Sequence, residues 1–284
     1  MTGLSLPPLN IPTLLRQYGL RPSKGLGQNF LQDNHALQKI VSAADLKPVD
    51  DILEIGPGLG SLTRYLALSA HSVTAVELDG NLFPALQSVL TPYQNVRLVQ
   101  GDILKLNPID LVNSPGYLVV ANIPYYITSA VIRHLLEAEH RPSRAVLTLQ
   151  KEVAERICAD PGKMSLLALS VQVYGRPTIA GEIPAEDFYP SPKVDSAILR
   201  LEIYPQPIIS IPLLDKFFTL IKAGFSQKRK TLRNALSGGL RLAPVEAEQF
   251  LAKAGIDPQR RAETLSLEEW ERLCNVEVRT PKDD

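Results

Sequence analysis

Cysteine is nearly absent from this chain: Cys158 and Cys274 are the two in 284 residues, far apart and with no histidine beside either. Their scarcity excludes a disulfide framework and a zinc site, and leaves both thiols inert. Net charge is missing too, with thirty Lys and Arg against thirty Asp and Glu, so the total alone announces no polyanionic partner. No apolar run approaches the roughly 20 residues of a membrane span. The N-terminal MTGLSLPPLNIPTLLRQYGL has neither the charged start nor the long apolar segment of a secretory signal. The expectation is a cytoplasmic protein without membrane or metal. Internal repeats and low-complexity tracts are also lacking.

What is present is a large reserve of apolar residues, 45% of the chain, enough for one large domain or two unequal ones. From residue 51, short β-rich runs alternate with helical patterns, which predicts a mostly parallel sheet covered by helices. The strands expected are 51–55, 72–78, 96–100, 117–122 and 145–150, with helices at 61–70, 80–90 and 128–138. MSLLALSVQVYG reads as a helix running into a strand and DSAILRLEIY (195–204) as a further strand, so the sheet is expected to carry an antiparallel edge. YPQPIISIP (204–212), with three prolines in nine residues, marks a boundary. Residues 1–205 form the sheet domain on this reading, and 206–284 a small all-helical domain. Within it, IKAGFSQKRKTLRNAL (221–236) carries Lys222, Lys228, Arg229, Lys230 and Arg233 and no acid.

The chemistry lies in the loops that follow the strands. EIGPGLGSLT places Gly56, Gly58 and Gly60 between a strand and a helix, where backbone can approach a ligand closely and helix N–H groups point at it. Glu77 ends the next strand, where a carboxylate can accept from both ribose hydroxyls. The G-x-G-x-G spacing differs from the dinucleotide fingerprint, and no P-loop lysine follows. Asp102, in VQGDIL at the next strand end, suits either the amine of an adenine or a turn cap. Together these describe S-adenosylmethionine better than NAD. At the fourth strand end, Asn122-Ile123-Pro124-Tyr125 joins a hydrogen-bonding amide, a rigid proline and a flat ring. That tip suits gripping a planar group as well as making a simple strand-to-helix turn. Phe188 heads the proline-stiffened loop FYPSPKVDSAIL and can close on the other face of such a group.

These stretches, with KGLGQNFLQD (24–33) and FSQKRKTLRNAL, resemble the rRNA adenine N6-dimethyltransferases in order along almost the whole chain, most nearly the bacterial small-subunit members. The resemblance implies a Rossmann-like S-adenosylmethionine-dependent methyltransferase sheet, with an N-terminal segment that covers the cofactor through Asn29 and Leu31. Gly56, Gly58, Glu77, Asp102 and Asn122 complete the implied cofactor contacts. It further implies catalysis by Asn122, Ile123, Pro124, Tyr125 and Phe188, and rRNA contacts from Lys228, Arg229, Lys230 and Arg233. The implied substrate is a pair of adjacent adenines near the 3′ end of 16S rRNA in the assembling small (30S) ribosomal subunit, acted on by a monomer. NIPY has Ile where Leu is more usual, at a position whose backbone does the work. Three other readings stand beside it: the 23S rRNA dimethylases of macrolide resistance, an NAD-dependent oxidoreductase, and an assembly factor whose binding matters more than methylation.

Overall fold

The structure is a computed structural model that describes residues 6–227 and 229–277. Nine strands form among them: β1 Phe30–Leu31, β2 Asp51–Ile55, β3 Ser72–Glu77, β4 Val96–Gln100, β5 Leu118–Asn122, β6 Arg144–Gln150, β7 Gly175–Ile183, β8 Phe188–Tyr189 and β9 Ser196–Ile203. Seven make one sheet in the order β4-β3-β2-β5-β6-β9-β7. The first five in that order are parallel neighbours, and β9 runs antiparallel to β6, which supplies the antiparallel addition that the sequence predicts. Central strands covered by helices on both faces must be apolar throughout. Accordingly, Val119, Val120 and Ala121 of β5 are all fully buried, whereas β4 at the edge is half-buried or exposed at every residue.

The helices follow the apolar periodicity and its stop signals. Ser61–Ser69 and Thr128–Glu137 match the expected spans closely. The span expected at 80–90 begins as a single 3-10 turn, Gly80–Leu82, and becomes α-helical at Phe83 with Pro84 in its first turn, where a missing N–H costs nothing. Helix Asn34–Ala44, which the sequence reading did not single out, is capped by Asp33, whose carboxylate accepts from the Ala36 N–H at 2.7 Å. It packs Ala36, Leu37 and Ile40 into a cluster with Leu62, Leu66, Val120, Phe188 and Ile198. No described helix is long and apolar enough to cross a membrane.

The chain divides into two compact units, residues 1–154 with 176–203 and residues 155–175 with 204–284. Segment 155–175 thus falls with the C-terminal residues, where the sequence reading drew a single boundary at 205/206. Its helix Leu166–Gln172 buries Ala168, Leu169 and Val171, and Tyr174 stacks on Phe218 with centroids 6.4 Å apart. The second unit also contains helices Leu214–Phe225, Leu232–Leu240, Pro244–Lys253 and Leu267–Asn275. Trp270 is fully buried against Gly224, where a Cβ would stand 2.6 Å from the indole. Ser266 and Glu269 form a capping box at the start of the last helix, and Glu269 also receives Arg260.

Candidate active site

A cavity of about 110 Å³ opens at the carboxyl ends of β2, β3, β4 and β5, all within the sheet unit. Strand order reverses between β2 and β5, and ligands in open α/β sheets bind at such a switch point. Every described residue the sequence assigned to cofactor or catalysis lies in its wall: Asn29, Leu31, Gly56, Gly58, Glu77, Asp102, Asn122, Ile123, Pro124 and Phe188. The Tyr125 side chain and Lys228 fall outside the described residues.

Strand β2 delivers the glycine turn. Gly56, Gly58 and Gly60 have φ of 72°, 58° and 85°, in the left-handed region that favours glycine. Gly58 has a second reason: a Cβ there would lie 2.9 Å from the Phe30 ring, so the turn and the N-terminal segment are fitted to one another. Strand β3 delivers Glu77. Its Oε2 accepts from the Gly58 N–H at 3.0 Å and its Oε1 from the Asp79 N–H at 2.8 Å. Burial raises its pKa, and the two backbone donors oppose the rise. Asp102 caps the 3-10 turn that follows it, accepting from the Leu104 N–H at 3.1 Å, so the capping role is real and leaves the second carboxylate oxygen toward an exposed Lys105 at 3.8 Å.

Asn122 ends β5 and gives its side-chain N–H to the Asn29 carbonyl at 3.2 Å. Its Oδ1 accepts no hydrogen bond among the described residues, which leaves an acceptor available beside the cavity. Ile123 is buried and donates its backbone N–H to the Thr148 carbonyl at 3.2 Å, fixing the loop to β6. Phe188 is 3% exposed and belongs both to the cavity wall and to the apolar core.

The sequence reading missed two features. β1 and β8 pair as a two-stranded ribbon, with Phe30 opposite Tyr189 and Leu31 opposite Phe188, so the QNFL segment and the Phe188 loop form one piece. Glu54, one residue from the end of β2, lines the cavity at 1% exposure with no hydrogen-bond partner for its Oε2 among the described residues. Burial, reinforced by the neighbouring Glu77, raises its pKa to about 8. The one signal in the sequence is an acid among the apolar residues Ile52, Leu53 and Ile55. Outside the cavity, Arg229 and Lys230 are exposed, but Arg233 is engaged by Glu248 at 3.4 Å. The described residues hold no cluster of three or more His, Cys, Asp or Glu suited to a metal ion.

With this geometry in hand, the comparisons with known proteins agree on one group. Residues 20–277 match the family model described as ribosomal RNA adenine dimethylase. A protein of Dehalococcoides mccartyi named ribosomal RNA small subunit methyltransferase A is 48% identical over 270 residues, 94% of this chain and 92% of that protein. The structure superposes on the 23S rRNA methyltransferase ErmE with a TM-score of 0.71 and 32% identity, covering 87% of this chain and 98% of the other. A dimethyladenosine transferase from Plasmodium falciparum gives 0.72 at 26% identity, covering 86% and 95%. A match that spans both units of the fold, on a cavity built by the same residues that carry the motifs, leads to one conclusion: the chain belongs to the ribosomal RNA adenine dimethylase family.

Proposed function

We propose that this protein transfers methyl groups from S-adenosylmethionine to the N6 amines of two adjacent adenines near the 3′ end of 16S rRNA, within the assembling small (30S) ribosomal subunit, and that it acts as a monomer. The observation that carries the reading is the polarity of Asn122: one N–H of its amide is held by the Asn29 carbonyl, which turns the oxygen away from that carbonyl and leaves it to accept from an amine. The 48% identity to a small-subunit methyltransferase against 32% to a 23S enzyme favours the small-subunit substrate.

The cavity's donor set fits the cofactor. Glu77 would take the ribose hydroxyls, Asp102 the adenine amine, and the glycine turn the amino-acid tail. Glu54, a buried carboxyl with an unpartnered oxygen, would take the ammonium of that tail. The sulfonium supplies an already activated methyl, so the chain needs no nucleophile of its own. An adenine amine is a weak nucleophile because its lone pair is delocalised into the ring. Hydrogen bonds from that amine to Asn122 Oδ1 and to the Ile123 carbonyl would favour a pyramidal, more reactive nitrogen, with Pro124 fixing the loop and Tyr125 and Phe188 bracketing the base. Asn122, being neutral, adds no competing charge beside a cationic donor. Arg229 and Lys230, exposed and without an ion pair among the described residues, are proposed to meet rRNA phosphates, with Lys228 and Arg233 beside them in sequence.

The test is Asn122→Ala. Ribosomal-subunit binding is expected to stay within about threefold while methyl transfer at saturating S-adenosylmethionine drops by about 10²-fold or more, the size of effect that misplacing a reacting group produces. Equal loss of ribosomal-subunit binding and transfer would show that Asn122 holds the fold rather than the amine.

A further inference from the structure

An asparagine amide can present either its oxygen or its NH₂ by a half-turn about one bond, and only the oxygen accepts from an amine. In this protein the choice is made by the Asn29 carbonyl, which takes the Asn122 N–H at 3.2 Å and would repel the oxygen. That carbonyl lies in a segment spanned by Gln28. The Gln28 Oε1 accepts from the Ser23 N–H at 2.7 Å, and its Nε2 donates to Asp79 Oδ2 at 2.8 Å. Asp79 in turn gives its backbone N–H to Glu77 Oε1 at 2.8 Å. Asn29 adds its own bond, Nδ2 to the Gly27 carbonyl at 3.2 Å. A continuous hydrogen-bonded path thus joins the acid at the end of β3 to the amide at the end of β5, through a segment far from both in sequence.

We propose that Gln28 is a positioning residue for methyl transfer: by tying the N-terminal segment to Asp79 it holds the Asn29 carbonyl where it fixes the amide orientation of Asn122. The kinetic consequence rests on the functional reading above; the orientation itself does not. Two neighbours, Ser23 and Asp79, hold the Gln28 amide in one sense, so its own polarity is set. Gln28→Ala removes both side-chain bonds, and with them the tie to Asp79, while the Gln28 backbone N–H keeps its bond to the Ser23 carbonyl at 3.2 Å. Gln28→Glu sets two carboxylates against each other across the same gap. Adding Asp79→Asn to Gln28→Glu restores the hydrogen bond with its direction reversed, since the new amide then donates to the new carboxylate.

Two readouts separate positioning from activity. In ¹⁵N–¹H spectra of the full chain, the Asn122 side-chain NH₂ pair should show one proton shifted and protected from solvent exchange in the wild type. This signature should vanish in Gln28→Ala and return in Gln28→Glu/Asp79→Asn. In transfer assays with small ribosomal subunits, kcat should fall about tenfold in Gln28→Ala and Gln28→Glu, equivalent to ~1.4 kcal/mol, with KM for the ribosomal subunit unchanged, and recover in the paired variant. In an Asn122→Asp background, where either side-chain oxygen accepts and one of them faces the Asn29 carbonyl whichever way the group turns, Gln28→Ala should lower kcat no further. An Asn122 signature indifferent to Gln28→Ala overturns the proposal, as does a kcat loss that the paired variant fails to rescue or that persists in Asn122→Asp. A wild type that methylates no adenine would defeat the functional reading, and the spectra would still decide the positioning.

Discussion

Glu54 is a buried carboxyl in the wall of this cavity, and its burial has an electrostatic cost. It sits one residue from the end of β2, between Leu53 and Ile55, buried, with a pKa of about 8. A carboxyl raised from 4.5 binds a proton in the folded state that the unfolded state has already released. Its contribution to stability therefore falls as pH rises from 4.5 through 8 and is fully unfavourable above that. Glu54→Gln should melt like the wild type near pH 4 and be more stable than it at pH 9, by on the order of a few kcal/mol. Calorimetry at the two pH values checks this, and parallel pH dependences would show that the carboxyl is not held neutral. The sequence made this residue hard to see, because DILEI reads as a strand and nothing local says that its acid points into a cavity. Glu77 and Asn122 were legible because each ends a strand, and Asp102 because it follows one by two residues, and strand ends in a parallel sheet converge whatever the intervening helices do.

At the scale of elements, the five parallel strands and the helices between them could be read from apolar runs and glycine breaks, since each is a local pattern. The β1–β8 ribbon could not. It is two residues long on each side and joins Leu31 to Phe188, and no periodicity develops over two residues. The same holds for helix Leu166–Gln172, whose local pattern was evident but whose assignment to the helical unit depends on distant partners such as Phe218. The ribbon makes the glycine turn sensitive to its neighbour. At Gly58, φ is 58° and a Cβ would sit 2.9 Å from Phe30. Gly58→Ala should therefore cost about 1–3 kcal/mol of stability and weaken S-adenosylmethionine binding at least about tenfold by displacing Phe30 and the N-terminal segment. Thermal melts and titration calorimetry on the one variant read both effects. Unchanged affinity would mean that the segment does not bear on the cofactor.

For the whole molecule, the sheet unit carries the cavity, and the helical unit carries the exposed basic residues Arg229 and Lys230. A chain with no net charge gains little general attraction to RNA, so local cations must supply it. Arg229→Glu with Lys230→Glu should weaken binding to small ribosomal subunits and lower the slope of log affinity against log salt by about 2 units. Arg233→Ala should do less, because its guanidinium is already engaged by Glu248 at 3.4 Å. Filter binding across a salt series distinguishes them, and equal losses would mean that the Glu248 pair opens on RNA. The basic run was plain in the sequence; which of its members are free was not, because Glu248 lies in the following helix and meets Arg233 only through packing.

The central claim is a specific transfer to small-subunit adenines, and the most direct measurement is to supply labelled S-adenosylmethionine with unmethylated small subunits, large subunits and naked rRNA, then map the modified bases. Dimethyladenine is expected at one adjacent pair near the 3′ end of 16S rRNA, in small subunits alone. Label in 23S rRNA, or no transfer at all despite tight binding to the small subunit, would contradict it.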